Sequence, residues 1–188
     1  MRSLPSTIKK NHIGIILVLL VIIVAVSATA YYVRNRAYKE SINEAGKTIF
    51  NAGGEAAYVD LDGNQATLDS YEGSILIVNN WASWSPFAVT ELPLLEKIAS
   101  EFADKNVIVL AVNRKETKEQ AQRFLNEQPP VPHVKVIIDT KDYFYGVTGG
   151  YAMPETLIYD ADGVLKNHIR GLLEYDTLKS EISTLIEK

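Results

Sequence analysis

The 188-residue chain contains no cysteine. That absence excludes internal disulfides, thiolate nucleophiles and cysteine metal sites. It does not identify a compartment. Acidic residues are missing from the N-terminal segment: none precedes Val33, where the only basic residues are Arg2, Lys9 and Lys10. Removing those three of 19 leaves 16 basic against 23 acidic residues from Arg34 onward, a net charge of about −7. So acidic a body argues against a nucleic-acid partner, which needs a basic footprint. Internal repeats and low-complexity tracts are also missing.

The first feature present is a long apolar run. Residues 13–33 read IGIILVLLVIIVAVSATAYYV and carry no charge. At 1.5 Å per residue they span a hydrocarbon core of about 30 Å. Tyr31 and Tyr32 sit where interfacial aromatics are expected, and Arg34 and Arg36 follow. A retained single-pass membrane anchor is the preferred reading. The rival is a cleaved signal peptide, with Ile13–Val26 as its apolar region and Ala28-Thr29-Ala30 as the cleavage site. Charge does not orient the span, because Arg2, Lys9 and Lys10 precede it while Arg34, Arg36 and Lys39 follow. The expected plan is a short polar N-terminus (1–12), the anchor (13–33), a polar helical juxtamembrane stalk (34–54) and one domain (55–188). That domain is long enough to bury a sizeable core.

Within the domain, Gly53-Gly54 breaks the stalk. Residues 56–60 and 65–68 flank the hairpin turn Asp62-Gly63-Asn64. Residues 75–79 form a continuous apolar run, the pattern of a strand buried on both faces. A helix is expected from Pro86 to about Asp104, with a stripe of Leu95, Ile98, Ala99 and Phe102 and a kink at Pro93. Further strands are expected at 107–112 and 134–138, and helices at 118–126 and 141–147. A second hairpin joins 155–159 to 164–168 around Asp162-Gly163, and a final helix covers about 175–187. Pro129-Pro130-Val131-Pro132 is an extended connector. This alternation predicts an α/β fold with a mixed central sheet flanked by helices. Asp60/Asp62 and Asp160/Asp162 lack the full calcium-loop pattern and read as turns, and Gly149-Gly150 reads as a connector. No metal and no cofactor are expected.

One stretch is more informative than the rest: Trp81-Ala82-Ser83-Trp84-Ser85-Pro86-Phe87-Ala88. It follows an apolar strand and opens a helix. It resembles the Trp-Cys-x-x-Cys site of thioredoxin-like proteins, nearest the membrane-anchored TlpA/ResA (redoxin) type of thiol–disulfide oxidoreductase. Ser85 and Ala88 stand where the two cysteines would be. The resemblance covers about Tyr58 to Ile186. Leu61-Asp62-Gly63 with Leu68 and Gly73 is similar to the family's entry hairpin. Asn80 replaces a usual aromatic. Glu91-Leu92-Pro93 is similar to its acid and kink proline, and the 118–126 helix to its central insertion. Met153-Pro154-Glu155-Thr156 is similar to the loop whose cis-proline faces the active site. The resemblance implies a thioredoxin-like fold, a cis bond before Pro154 and an extracytoplasmic C-terminal domain.

No catalytic residue is expected from this set. In the family the Ser85 position sits at a helix N-terminus, where the dipole acidifies a thiol. A serine hydroxyl cannot form a disulfide, so Ser85 is expected to cap the helix. A serine nucleophile would need a base at hand, and nothing in the sequence places His133 or His168 there. Ala88 offers no chemistry. Glu91 matches a family acid that serves the second cysteine, and is expected here to be structural. Trp84 and Phe87 form a candidate aromatic patch, although Phe87 packing against a neighbouring loop is an equal alternative. Met153 and Pro154 are the candidates for backbone pairing with an extended peptide, which needs no thiol.

The preferred function is therefore a membrane-anchored, redox-inactive module that binds a peptide or protein partner through Trp84, Ser85, Pro86, Phe87, Met153 and Pro154. The alternatives are an enzyme with non-thiol chemistry at the same site, and a cysteine-replaced form of an active oxidoreductase. The sequence does not fix an oligomeric state.

Overall fold

The computed structural model describes residues 6–51, 58–150 and 152–187. The chain divides into two compact units, one ending at Ser41 and the next beginning at Ile42. Residues 6–41 of helix α1 (Ser6–Asn51) supply the first. Its stretch Gly14–Arg36 has a mean hydropathy of 2.7 and is long and apolar enough to cross a membrane. A helix suits that solvent because every backbone donor finds its acceptor within the segment. α1 continues to Asn51. Gly53-Gly54 and Ala56 lie outside the described residues.

Among the described residues, the second unit is built on seven strands. They are β1 (Tyr58–Asp60), β2 (Gln65–Ala66), β3 (Ile75–Trp81), β4 (Val107–Arg114), β5 (Lys135–Asp139), β6 (Glu155–Tyr159) and β7 (Leu165–Arg170). Their order across the sheet is β2-β1-β5-β4-β3-β6-β7. β3, β4 and β5 are parallel, and the outer pairings are antiparallel. The helices of this unit are α2 (Ala88–Glu101), α3 (Lys118–Asn126), α4 (Tyr143–Val147) and α5 (Tyr175–Ile186). This is the mixed α/β sheet that the residue pattern implies.

β3 is the central strand of the motif, and all seven of its residues are buried. Alternation divides them between two faces. Ile75, Ile77 and Trp81 join a core with Leu92, Leu95 and Ile98 of α2, Val109 and Ala111 of β4, and Leu178 and Ile182 of α5. Leu76, Val78 and Asn80 face the other way. The expected α2 stripe of Leu95, Ile98, Ala99 and Phe102 is buried in full, and Leu92 extends it by a turn. α2 continues through Pro93, which has no N–H to donate. α3 opens with a capping box the sequence also carries. Thr117 Oγ1 accepts from the Gln120 N–H while Gln120 Oε1 accepts from the Thr117 N–H. The Phe124 ring then lies 5.6 Å from Trp81.

Both aspartate pairs make turns. Asp60 Oδ1 accepts from the backbone of Asp62 and Asn64 at 2.9 and 2.8 Å. Asp160 Oδ1 does the same for Asp162 and Val164 at 3.1 and 2.8 Å. Gly63 and Gly163 complete the turns at φ +88° and +75°, which residues with a Cβ avoid.

Asn80 is the anomaly of β3. It is fully buried, and neither polar atom of its amide has a hydrogen-bond partner among the described residues. An unsatisfied buried amide costs on the order of 1–3 kcal/mol. Asn80→Leu is therefore expected to raise stability by about 1–2 kcal/mol in urea unfolding followed by tryptophan fluorescence. Reduced stability would show that this amide makes bonds the fold depends on.

Candidate functional site

Register brings the motif and the proline loop together. β3 pairs with β6 so that Asn80 opposes Glu155. The next residue along β3 is Trp81, and the residue before Glu155 is Pro154. The two loops therefore leave the same end of neighbouring strands. The Met153–Pro154 bond is cis, as the resemblance implied. A third loop closes on them: the Gly171 N–H donates to the Pro154 carbonyl at 3.0 Å.

The motif loop is tightly turned. Ser85 N–H donates to the Ala82 carbonyl at 3.0 Å, and the Ser85 carbonyl accepts from Ala88 N–H at 3.2 Å. Ser85 is not the helix cap. The cap position of α2 is Phe87, and no side chain caps it. The tight turn buries Ser85 to 5% exposure, two residues ahead of the position where a hydroxyl could reach the first free N–H groups. Its hydroxyl makes no hydrogen bond with any described residue, so none of these is bonded to it as a base. Ala88, the other position where the resemblance implies a thiol, is buried at the start of α2.

The surrounding side chains divide clearly. Trp84 is 58% exposed, Phe87 is 38% exposed and Pro86 is exposed beside them. Met153 is half-buried and Pro154 buried. An apolar rim thus surrounds two buried, unreactive positions. Leu172, in the loop that holds Pro154, is also exposed.

Glu91 is buried beneath this rim and is tied on both oxygens. Oε2 accepts from Asn79 Nδ2 at 3.1 Å, and Oε1 accepts from the Leu173 N–H at 3.1 Å. Asn79 Nδ2 also donates to Thr156 Oγ1 at 2.9 Å. The carboxyl therefore links α2, β3, β6 and the loop after β7. Burial raises its pKa above the ordinary value, and the bonds from Asn79 and Leu173 offset only part of that.

Two further anchors were not visible in the sequence. Glu116, buried after β4, accepts from the Ser83 N–H at 2.8 Å and from Asn113 Nδ2 at 2.7 Å, and also bonds the Ser83 hydroxyl. It holds the motif loop in place. Arg114 lies with its guanidinium 3.4 Å from the centroid of the Tyr145 ring and 6.0 Å from that of Trp84. Asp142 binds it through two parallel bonds, Nε to Oδ1 at 2.8 Å and Nη2 to Oδ2 at 2.6 Å. The only local signal was the polar Arg114-Lys115-Glu116-Thr117 run ending a buried strand. Apart from Asn113, three residues before Glu116, the hydrogen-bond partners named here are 28 to 33 positions away.

Residues 49–168 match the AhpC/TSA family. The chain belongs to that family. A thiol:disulfide interchange protein DsbE from Allochromatium vinosum is 32% identical over 129 residues, 68% of each chain. A thiol-disulfide oxidoreductase ResA from Halalkalibacterium halodurans is 28% identical, covering 84% of this chain and 85% of the relative. Among solved structures, the exposed lipoprotein thioredoxin Etrx1 of Streptococcus pneumoniae superposes with a TM-score of 0.60 at 22% identity. That superposition covers 68% of this chain and 96% of Etrx1. The domain is therefore a thioredoxin-like redoxin related to ResA and DsbE, without a single thiol of its own.

The raised pKa of Glu91 has a stability consequence. Between the ordinary carboxyl pKa and its higher folded value, the native state holds more protons than the unfolded one. Stability therefore falls as pH rises through that window. Glu91→Gln removes the charge and is expected to raise the thermal midpoint at pH 7, with the gain vanishing near pH 4. Asn79 can reverse its amide to meet the new N–H. A gain that is constant with pH, or a loss confined to neutral pH, would contradict burial as the dominant cause.

Proposed function

We propose that this redoxin is a membrane-tethered binding module that carries out no thiol–disulfide exchange and holds an extended segment of a partner protein. Exchange requires a thiolate to attack a disulfide sulfur, and the chain has none. The observation that carries the reading is the exposed pair Trp84 and Phe87 beside the half-buried Met153, set around two positions stripped of reactivity. Exposed aromatics in a group supply contact area at low entropic cost, as binding hot spots do.

Backbone pairing supplies the second half of the face. The Met153 N–H and C=O take part in no hydrogen bond with a described residue, so they are available to an extended strand. β-Augmentation of that kind needs main-chain groups and side-chain pockets, and no thiol. Pro86 extends the exposed rim, and the buried Ser85 lies beneath it. The segment at residues 14–36 anchors the protein, with the domain on the extracytoplasmic side, as the resemblance to ResA-type proteins implies. No cofactor or metal enters this reading.

The test is a random-peptide selection against the full-length chain in detergent micelles, with affinities measured for the selected peptides. Trp84→Ala and Met153→Ala are each expected to weaken binding by at least about tenfold, the scale of a single hot-spot truncation. Selected peptides that bind both variants as tightly as the native chain would place the binding elsewhere and end this reading.

A further inference from the structure

We propose that Arg114 is a positioning residue that holds the two halves of the binding face together, Trp84 on one side and the Met153–Pro154 loop on the other. This rests on the binding reading above, and concerns how its two loops are kept in one arrangement.

The connection is continuous. The guanidinium lies within 6.0 Å of the Trp84 ring centroid and stacks on Tyr145 at 3.4 Å. Tyr145 in turn donates its hydroxyl to the Ala152 carbonyl at 3.1 Å, next to Met153. The Gly150 backbone packs so closely on the same ring that a Cβ there would stand 2.5 Å from its carbon atoms. Trp84, Arg114, Tyr145 and the backbone of Gly150 and Ala152 therefore form one chain of contacts that ends beside Met153. A planar guanidinium is suited to this, because it can lie against aromatic faces while its edge is bound by a carboxylate.

The surroundings fix Arg114 rather than merely accommodate it. Asp142 takes its Nε and Nη2 in a fork, and Lys115 Nζ lies 3.4 Å from the same carboxylate. Burial raises the Asp142 pKa, but bonds from Arg114 and its charge outweigh that, leaving the pKa below the ordinary value. Both loops that meet here carry left-handed backbone without glycine. Lys115 has φ +60° and Asp142 has φ +58°. Each donates its N–H to the Asp139 carbonyl at 3.0 Å. Two such residues facing one carbonyl is a costly arrangement, of the kind that concentrates at working sites. What it achieves is the alignment of Arg114 with Asp142.

The chain provides its own reporters. It has two tryptophans, and its methionines are Met1 and Met153. Trp81 is buried in the core while Trp84 is exposed. In the full-length chain in micelles, labelled at the indole nitrogens and methionine methyls, with the methyl added by Arg114→Met assigned through a Met153→Leu control, Arg114→Met is expected to shift the Trp84 indole and the Met153 methyl together and leave Trp81 in place. Arg114→Lys keeps the charge opposite Asp142 without the planar stack, and is expected to shift the same two signals. Tyr145→Phe deletes only the hydroxyl, and is expected to move Met153 while Trp81 stays.

A Met153 signal unmoved in Arg114→Met and Tyr145→Phe would overturn the proposal. So would full recovery by lysine, which would mean that charge alone matters. If Arg114→Met also moves Trp81, the Tyr145→Phe spectrum decides. A peptide selected against the native chain is expected to bind Arg114→Met about tenfold more weakly. Coupled shifts together with a native chain that binds no peptide would sustain the positioning role and defeat the binding function.

Discussion

The site depends on the register of β3. That strand is buried on both faces between parallel β4 and antiparallel β6. Because side chains alternate, a slip of one residue would drive Ile75, Ile77 and Trp81 out of the core that α2 and α5 complete. The hydrophobic pattern therefore locks the strand, and the lock determines where Trp81 ends and the motif loop begins. The same register sets Glu155 opposite Asn80 and so delivers Pro154 beside Trp81. Everything at the candidate site is positioned by packing that lies below it.

On that base, polar groups do the finer placement. Glu91 ties α2 to β3 and to the loop after β7, Glu116 ties the motif loop to the end of β4, and Arg114 sits between two aromatic rings. Ser85 and Ala88, where the resemblance implies two thiols, carry no reacting sulfur, and this support stands around them. A buried carboxyl with a raised pKa is a useful proton donor beside a thiolate. Beside an alanine it is a structural hydrogen-bond hub.

Much of this was legible in the sequence, and the parts that were not share a cause. The run Ile75–Asn79, the α2 stripe and the Asp-Gly hairpins are local patterns whose period reports burial directly. The apolar helical stretch Gly14–Arg36 is legible for the same reason. The cis bond before Pro154 came from resemblance, since local composition does not distinguish the isomers. Ser85 misled as a cap because the turn beginning at Ala82 advances the helix start to Phe87, which a residue count cannot reveal. Glu116 and Arg114 escaped notice because each acts on partners far away in the chain. The register that brings them near is a property of the assembled sheet.

The most direct test is insulin reduction by the full-length chain in micelles, beside the double variant Ser85→Cys/Ala88→Cys. The account predicts a native chain with no activity and a variant that reduces insulin, because the fold, Glu91 and the cis-proline loop are in place and only the sulfur atoms are missing. Insulin reduction by the native chain would contradict the account, since it would require electron-transfer chemistry that no residue of this protein provides.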